Sequence, residues 1–154
     1  FYFGVEEANL KNTLVHSWNA TMEFGYRTSA LKNQKFVATG CTFLLEKGDP
    51  EQIKAKMDDF GQRRREKQPL EFPSAGSTFK RPEGHFAGKL IQDAGLAGFT
   101  VGGAQVSEKH CGFVINTGDA TAKDIRILIG FVQDKVKETF GVDLEPEVIL
   151  LGEF

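Results

Sequence analysis

Cysteine is scarce in this 154-residue chain: Cys41 and Cys111 are the only two, far apart and without CxxC spacing. That excludes a disulfide framework or a zinc knuckle and leaves two reduced core thiols as the expectation. The three histidines, His16, His85 and His110, show no metal-ligand spacing with cysteine or acid, so no metal is expected. Charge of one sign is not in excess. A formal net charge of −2 argues against a nucleic-acid or membrane-surface partner. No apolar run approaches the ~20 residues of a membrane span. No basic-then-apolar leader stands at the front, which makes the cytoplasm the expected compartment. Asn19-Ala20-Thr21 therefore reads as a chance sequon. The glycines at 95, 98, 102 and 103 do not form GxGxxG, so no nicotinamide-binding fold is implied. Gly84 to Leu90 imitates a phosphate-binding loop but is one residue short, with Leu90 where a hydroxyl must reach magnesium. The chain opens at Phe1 without a methionine and reads as a piece of a longer protein.

What is present is an ordinary globular balance, 40% hydrophobic and 26% charged, with 14 phenylalanines. The length fits one domain, or one domain and part of another. Phe1–Val5 and Thr13–Trp18 read as short strands, followed by a turn at Phe24–Ser29. Residues 35–46 alternate with apolar side chains on both faces, the pattern of a buried strand ending at Gly48. Asp49, Pro50 and Gln52 announce a helix whose Ile53, Met57 and Phe60 form a core-facing stripe. It leaves through Arg63-Arg64-Arg65-Glu66-Lys67, cations that oppose the helix dipole for ~0.3–1 kcal/mol each. Residues 86–94 read as a short helix stopped by Gly95. Phe99–Val101 begins a strand that breaks at Gly102-Gly103, and Gly112–Asn116 forms another. A second long helix follows Thr121, with stripe residues Ile125, Leu128, Ile129, Val132, Val136 and Phe140, and Gly141 ends it. Val148–Leu151 reads as a last strand. Two long amphipathic helices, one short helix and strands in mixed order give an α+β fold with a mixed sheet.

The stretch Pro73-Ser74-Ala75-Gly76-Ser77-Thr78-Phe79-Lys80-Arg81-Pro82 stands out. Its small residues allow close backbone approach to a ligand, and a hydroxyl sits just ahead of two cations. Arg27 in the aromatic turn, Ser77 here and Glu147 behind Pro146 form a separated set. An arginine, a hydroxyl acid and a carboxylate could bind and polarise a carboxylate-bearing substrate. The same residues also suit a solvated Pro/Gly/Ser loop with a basic end.

Six segments stand in order: Phe24-Gly25-Tyr26-Arg27-Thr28-Ser29, Arg64-Arg65-Glu66-Lys67-Gln68-Pro69-Leu70, the Pro73–Pro82 loop, Val101 to His110, Gly112 to Asn116, and Leu144-Glu145-Pro146-Glu147-Val148. Together they resemble the UDP-N-acetylenolpyruvoylglucosamine reductase family. The similarity runs from about Phe24 to Glu153. It implies a flavoenzyme of bacterial cell-wall synthesis that reduces UDP-N-acetylglucosamine enolpyruvate to UDP-N-acetylmuramate. NADPH would reduce FAD, and the flavin would pass hydride to the enolpyruvyl double bond.

By motif, Ser77 would protonate the enol, with Arg27 as polarising cation and Glu147 as acidic partner. Lys67 and Arg81 would meet the pyrophosphate, and Tyr26 and His110 would line the pocket. Thr28 stands where the family often has aspartate, and Arg81 where some members have asparagine. The resemblance also divides the chain. Residues 1–48 would be the tail of the FAD-binding domain, whose glycine-rich segments are missing here, and residues 49–154 the substrate-binding domain. By itself such a piece is expected to be inactive. Two other readings remain: a non-catalytic UDP-sugar binding module, and a purely structural domain.

Overall fold

Gly102-Gly103 does more than interrupt a strand. It is the two-residue turn of a hairpin between β5 (Thr100–Val101) and β6 (Ala104–Val106), and Gly102 adopts φ +53°. A side chain at Gly102 would lie 2.6 Å from Asp124 Cγ, and one at Gly103 would lie 2.4 Å from the Ala120 nitrogen. The turn can therefore dock on the start of α3 (Ala122–Phe140) only because both positions lack a Cβ. There Thr121 and Asp124 form a reciprocal capping box, and Gly141 closes the helix in the left-handed region at φ +69°.

A computed structural model describes residues 3–9, 14–18, 22–33 and 36–152. They fall in two units, Phe1–Ile53 and Lys54–Phe154. The Asn19-Ala20-Thr21 sequon includes no described residue.

The first unit is an antiparallel sheet in the order β2-β1-β3, from β1 (Phe3–Asn9), β2 (Leu14–Trp18) and β3 (Phe36–Phe43). A turn of 3-10 helix occupies Ala30–Asn33. β3 was expected to be buried. It is instead an edge strand whose residues 38–43 stand exposed, Cys41 among them, so only Cys111 is a buried thiol. An edge strand is paired on one side only, and apolar residues on both faces do not by themselves bury it.

α1 (Pro50–Lys67) starts where expected. Asp49 Oδ1 accepts the backbone N–H groups of Glu51 (2.9 Å) and Gln52 (3.0 Å). Its stripe does not become core: Ile53 is 48%, Met57 67% and Phe60 63% exposed. Periodicity reports an apolar face but cannot say what covers it.

In the second unit four antiparallel strands run in the order β4-β7-β6-β5, with β4 at Ser74–Ser77 and β7 at Phe113–Asn116. The α+β class holds, but the described pairings are antiparallel rather than mixed. α2 (Ala87–Asp93) and α3 pack on one face. The pair Val106–Val114 belongs to that face with Ala104, and it meets Leu90, Ile91, Leu128, Val132 and Val136 in the core. Phe113 and Ile115, one position out of phase, belong to the opposite face. Burying each large aliphatic contributes about 1.5–3 kcal/mol.

Two expectations change here. The central loop contains β4, a short edge strand without strand-type composition. Val148–Leu151 is no strand: backbone pairing stops at Glu147, and Ile149 and Leu151 are 83% and 82% exposed. Apolar content alone supplies no ladder partner.

Candidate functional site

Ser77 ends β4 directly opposite Phe113 of β7. Between Ser74 and Ser77 the pairing shifts register, where Gly76 adopts φ +82° with nothing within 4 Å of a would-be Cβ. Conformation, not space, requires glycine there. The shift separates two neighbours of opposite fate: Ser77 is exposed, whereas Thr78 is buried. Thr78 Oγ1 accepts the Val114 N–H (3.0 Å), and the Thr78 N–H donates to the Gly112 carbonyl (2.8 Å). The hydroxyl beside Ser77 is thus consumed in holding the loop to the sheet.

The outer side of the same segment holds the polypeptide that follows α3. The Glu147 N–H donates to the Thr78 carbonyl (2.8 Å), the Lys80 N–H donates to the Glu145 carbonyl (2.8 Å), and Phe79 faces Pro146 between them. Lys80 Nζ and Glu145 Oε1 form an ion pair at the end of this short bridge. Ser77 and Glu147, 70 positions apart in their numbering, are therefore carried on adjacent backbone segments. Glu147 is half-buried.

Arg81 is exposed, with its guanidinium 4.0 Å from the Phe86 ring centroid and its Nε donating to the His85 carbonyl (3.3 Å). Phe86 was not singled out from sequence, because an exposed aromatic at a helix start carries no periodic signal. His110 is half-buried, its ring edge-on to Phe113 at 5.0 Å and 71°. Its N–H donates to Ser107 Oγ (3.3 Å), and its Nδ1 accepts the Gly112 N–H (3.1 Å). Lys67 is exposed at the last position of α1. The turn after it is tied to the His110 loop by Lys109 Nζ and Glu71 Oε2, 3.3 Å apart. Glu71 is held below the usual carboxylate range by a backbone N–H first and by Lys109 after it. Burial pushes the Cys111 thiol up.

Tyr26 and Arg27 belong to the first unit. They are the central residues of a tight turn in which Gly25 and Thr28 exchange backbone hydrogen bonds (3.0 and 3.3 Å). Arg27 sits at φ +58°, a left-handed conformation unusual for an arginine, with its guanidinium 5.9 Å from the Tyr26 ring centroid. Thr28, the departure from the common aspartate, serves as the turn's pairing residue. The second unit thus collects Lys67, Ser77, Arg81, His110 and Glu147, while Tyr26 and Arg27 are carried by the first.

Among the described residues no helix is long and apolar enough to cross a membrane. No group of three or more His, Cys, Asp or Glu side chains among them could hold a metal ion.

Comparison with known proteins gives a consistent result. A family profile described as UDP-N-acetylenolpyruvoylglucosamine reductase, C-terminal domain, matches residues 68–151. A UDP-N-acetylenolpyruvoylglucosamine reductase of Lachnoclostridium phytofermentans is 63% identical over 132 residues, 86% of this chain and 43% of that protein. One from Caldanaerobacter subterraneus subsp. tengcongensis is 52% identical over 149 residues, 97% of this chain and 49% of the relative. The crystal structure of UDP-N-acetylenolpyruvylglucosamine reductase from Thermus caldophilus superposes with a TM-score of 0.79 at 32% identity, covering 96% of this chain and 52% of that one. The chain spans about half the length of the curated relatives it matches.

Proposed function

The chain belongs to the UDP-N-acetylenolpyruvoylglucosamine reductase family, and from that premise we propose that it carries the substrate-binding and proton-donating part of this reductase. The reaction would be reduction of UDP-N-acetylglucosamine enolpyruvate to UDP-N-acetylmuramate in cytoplasmic cell-wall synthesis. Residues 1–48 would form the tail of the FAD-binding domain and residues 49–154 the substrate domain. The observation that carries the reading is the placement of an exposed serine and a half-buried glutamate on adjacent segments, joined through the Thr78 carbonyl.

FAD, reduced by NADPH, would supply the hydride. The described residues fit the nucleotide-sugar end of such a site. The flavin would be held by the FAD-binding domain, of which residues 1–48 would be the tail. Ser77 Oγ–H would give its proton to the basic carbon of the enol intermediate. A serine hydroxyl is a weak acid, and fixed positive charge nearby would stabilise the alkoxide left behind. Lys80 lies on the same backbone bridge, and Arg27 would supply the polarising guanidinium, which can grip a carboxylate bidentately. Glu147 would be the acidic partner of that serine. Arg81, held over Phe86, and Lys67 at the α1 terminus would receive the pyrophosphate, and Tyr26 and His110 would line the pocket.

Calorimetric titration of the chain with UDP-N-acetylenolpyruvoylglucosamine tests the binding half: saturable one-to-one binding is expected, and none by a folded sample would remove it. The catalytic half is tested by Ser77→Ala within a full-length flavin-containing reductase. NADPH should still bleach the flavin while substrate turnover falls at least 10²-fold, the low end for a lost proton donor. Unchanged turnover would assign the proton elsewhere. A non-catalytic UDP-sugar module predicts binding but no flavin even in the parent protein.

A further inference from the structure

Glu147 is held by a short ladder. Phe79 and Pro146 face each other in it, with one hydrogen bond on either side: the Glu147 N–H to the Thr78 carbonyl and the Lys80 N–H to the Glu145 carbonyl, both 2.8 Å. That makes Phe79–Pro146 the non-hydrogen-bonded pair of an antiparallel ladder, where an N–H points away from the partner and proline is tolerated. Upstream the segment is anchored. Leu144 is 3% exposed, and its carbonyl accepts Gln133 Nε2–H of α3 at 2.8 Å. Two backbone hydrogen bonds are a modest hold for a carboxylate that must keep its place beside a serine. A side-chain contact joins them: Lys80 Nζ and Glu145 Oε1 are paired across the ladder. The Lys80 side chain is only 24% exposed, although that of Glu145 is 70% exposed. Partial shelter from water strengthens an attraction that solvent weakens in a fully exposed pair. Lys80 lies three positions after Ser77, and Glu145 two before Glu147. The pair therefore clasps the two segments that carry serine and carboxylate.

We propose that Lys80 is a positioning residue: through its ion pair with Glu145 it holds residues 145–147 on residues 78–80 and so sets where Glu147 stands relative to Ser77. Its ammonium acts on the reaction through the backbone, not by touching the reacting atoms. Lys80 and Glu145 then work as one unit, and removing either has the same effect as removing both. The assignment rests on the reading of Ser77 and Glu147 as a working pair.

Two measurements test it. Amide hydrogen exchange on the labelled chain, with no ligand present, reads the hold itself. Lys80→Met should speed exchange of the Glu147 N–H about fivefold, the upper worth of one such ion pair. The Val106 and Ser107 N–H groups, bonded elsewhere in the unit, should keep their native rates and show that the fold is intact. Native exchange at Glu147 in this variant overturns the proposal. Turnover is then read in a full-length flavin-containing reductase that carries this chain. Lys80→Met and Glu145→Gln should each lower kcat about fivefold, while KM for the enolpyruvyl sugar and the rate of flavin bleaching by NADPH change less than about twofold. The double variant should fall no further than either single one. Lys80→Arg, which can still meet the carboxylate, should recover most of the rate. A loss with Lys80→Met that Glu145→Gln does not share overturns the proposal in favour of direct action by the ammonium, and losses that multiply in the double variant overturn it as well. Unchanged turnover in Ser77→Ala would instead overturn the functional reading on which it rests, and would leave the exchange result standing.

Discussion

Cys41 and Cys111 carry the same thiol in opposite settings, and their chemistry should separate accordingly. Cys41 is exposed on an edge strand; Cys111 is buried, and burial raises its pKa, leaving less of the nucleophilic thiolate at neutral pH. A thiol reagent should label Cys41 within the mixing time of a native experiment and Cys111 only on unfolding, as read by mass spectrometry of digested samples. Equal labelling rates would mean that Cys111 is reached by solvent in the native state. Gly103 makes a sharper demand. Its absent side chain is replaced by the Ala120 backbone, 2.4 Å from where a Cβ would sit. Gly103→Ala should therefore destabilise by about 1–3 kcal/mol, the cost of overpacking, seen as a lower urea midpoint at unchanged slope. Both residues were visible in the sequence, but only as a scarce cysteine and a strand-breaking glycine. What each one touches comes from segments distant in the chain.

At the scale of elements, α3 was the most legible part, because capping box, apolar stripe and terminal glycine all mark the same span, although Phe140 at the end of the expected stripe is exposed rather than core. Removing the cap with Thr121→Ala should cost about 1 kcal/mol and lower the melting temperature by about 4–8 °C. Asp124 adds a pH dependence. Its carboxyl lies below its ordinary value of 3.8, chiefly because it accepts the Thr121 backbone N–H. A group whose pKa is depressed in the folded state stabilises above its unfolded pKa, and that contribution disappears as pH falls through the folded value. Asp124→Asn should thus unfold more readily than the native chain at pH 7, and the gap should close as pH falls below the ordinary carboxyl value of 3.8 and through the depressed folded one. A gap that persisted at low pH would show packing rather than charge to be responsible. α1 was legible in its boundaries and not in its environment: Asp49 caps as the spacing predicts, yet Met57 and Phe60 are exposed. β4 was the least legible, since Ser74-Ala75-Gly76-Ser77 has no strand composition and is held by pairing with β7. Of the candidate site, the residue types were readable from motif order. The junction of Thr78 with Glu147 was not, because a backbone hydrogen bond leaves no trace in composition.

At the scale of the whole molecule, the residues of the core cluster run from Phe79 to Leu144 and all lie within the Lys54–Phe154 unit. That unit should unfold in one cooperative step, with circular dichroism and near-ultraviolet probes giving coincident transitions. Divergent midpoints would show that the sheet and α3 are separable. Leu128→Ala, which empties a fully buried position, should lower its stability by about 2–5 kcal/mol. The bridge between residues 78–80 and 145–147 has a different consequence, in the order of synthesis. Its two sides are separated by α2, three strands and α3 in translation order, and the Lys80–Glu145 contact spans 65 positions. A ribosome that has delivered every strand and helix of this unit has still not delivered Glu147. The sheet and its helices can form on the emerging chain before residues 145–147 are made, so the bridge to residues 78–80 closes only after the elements that it spans.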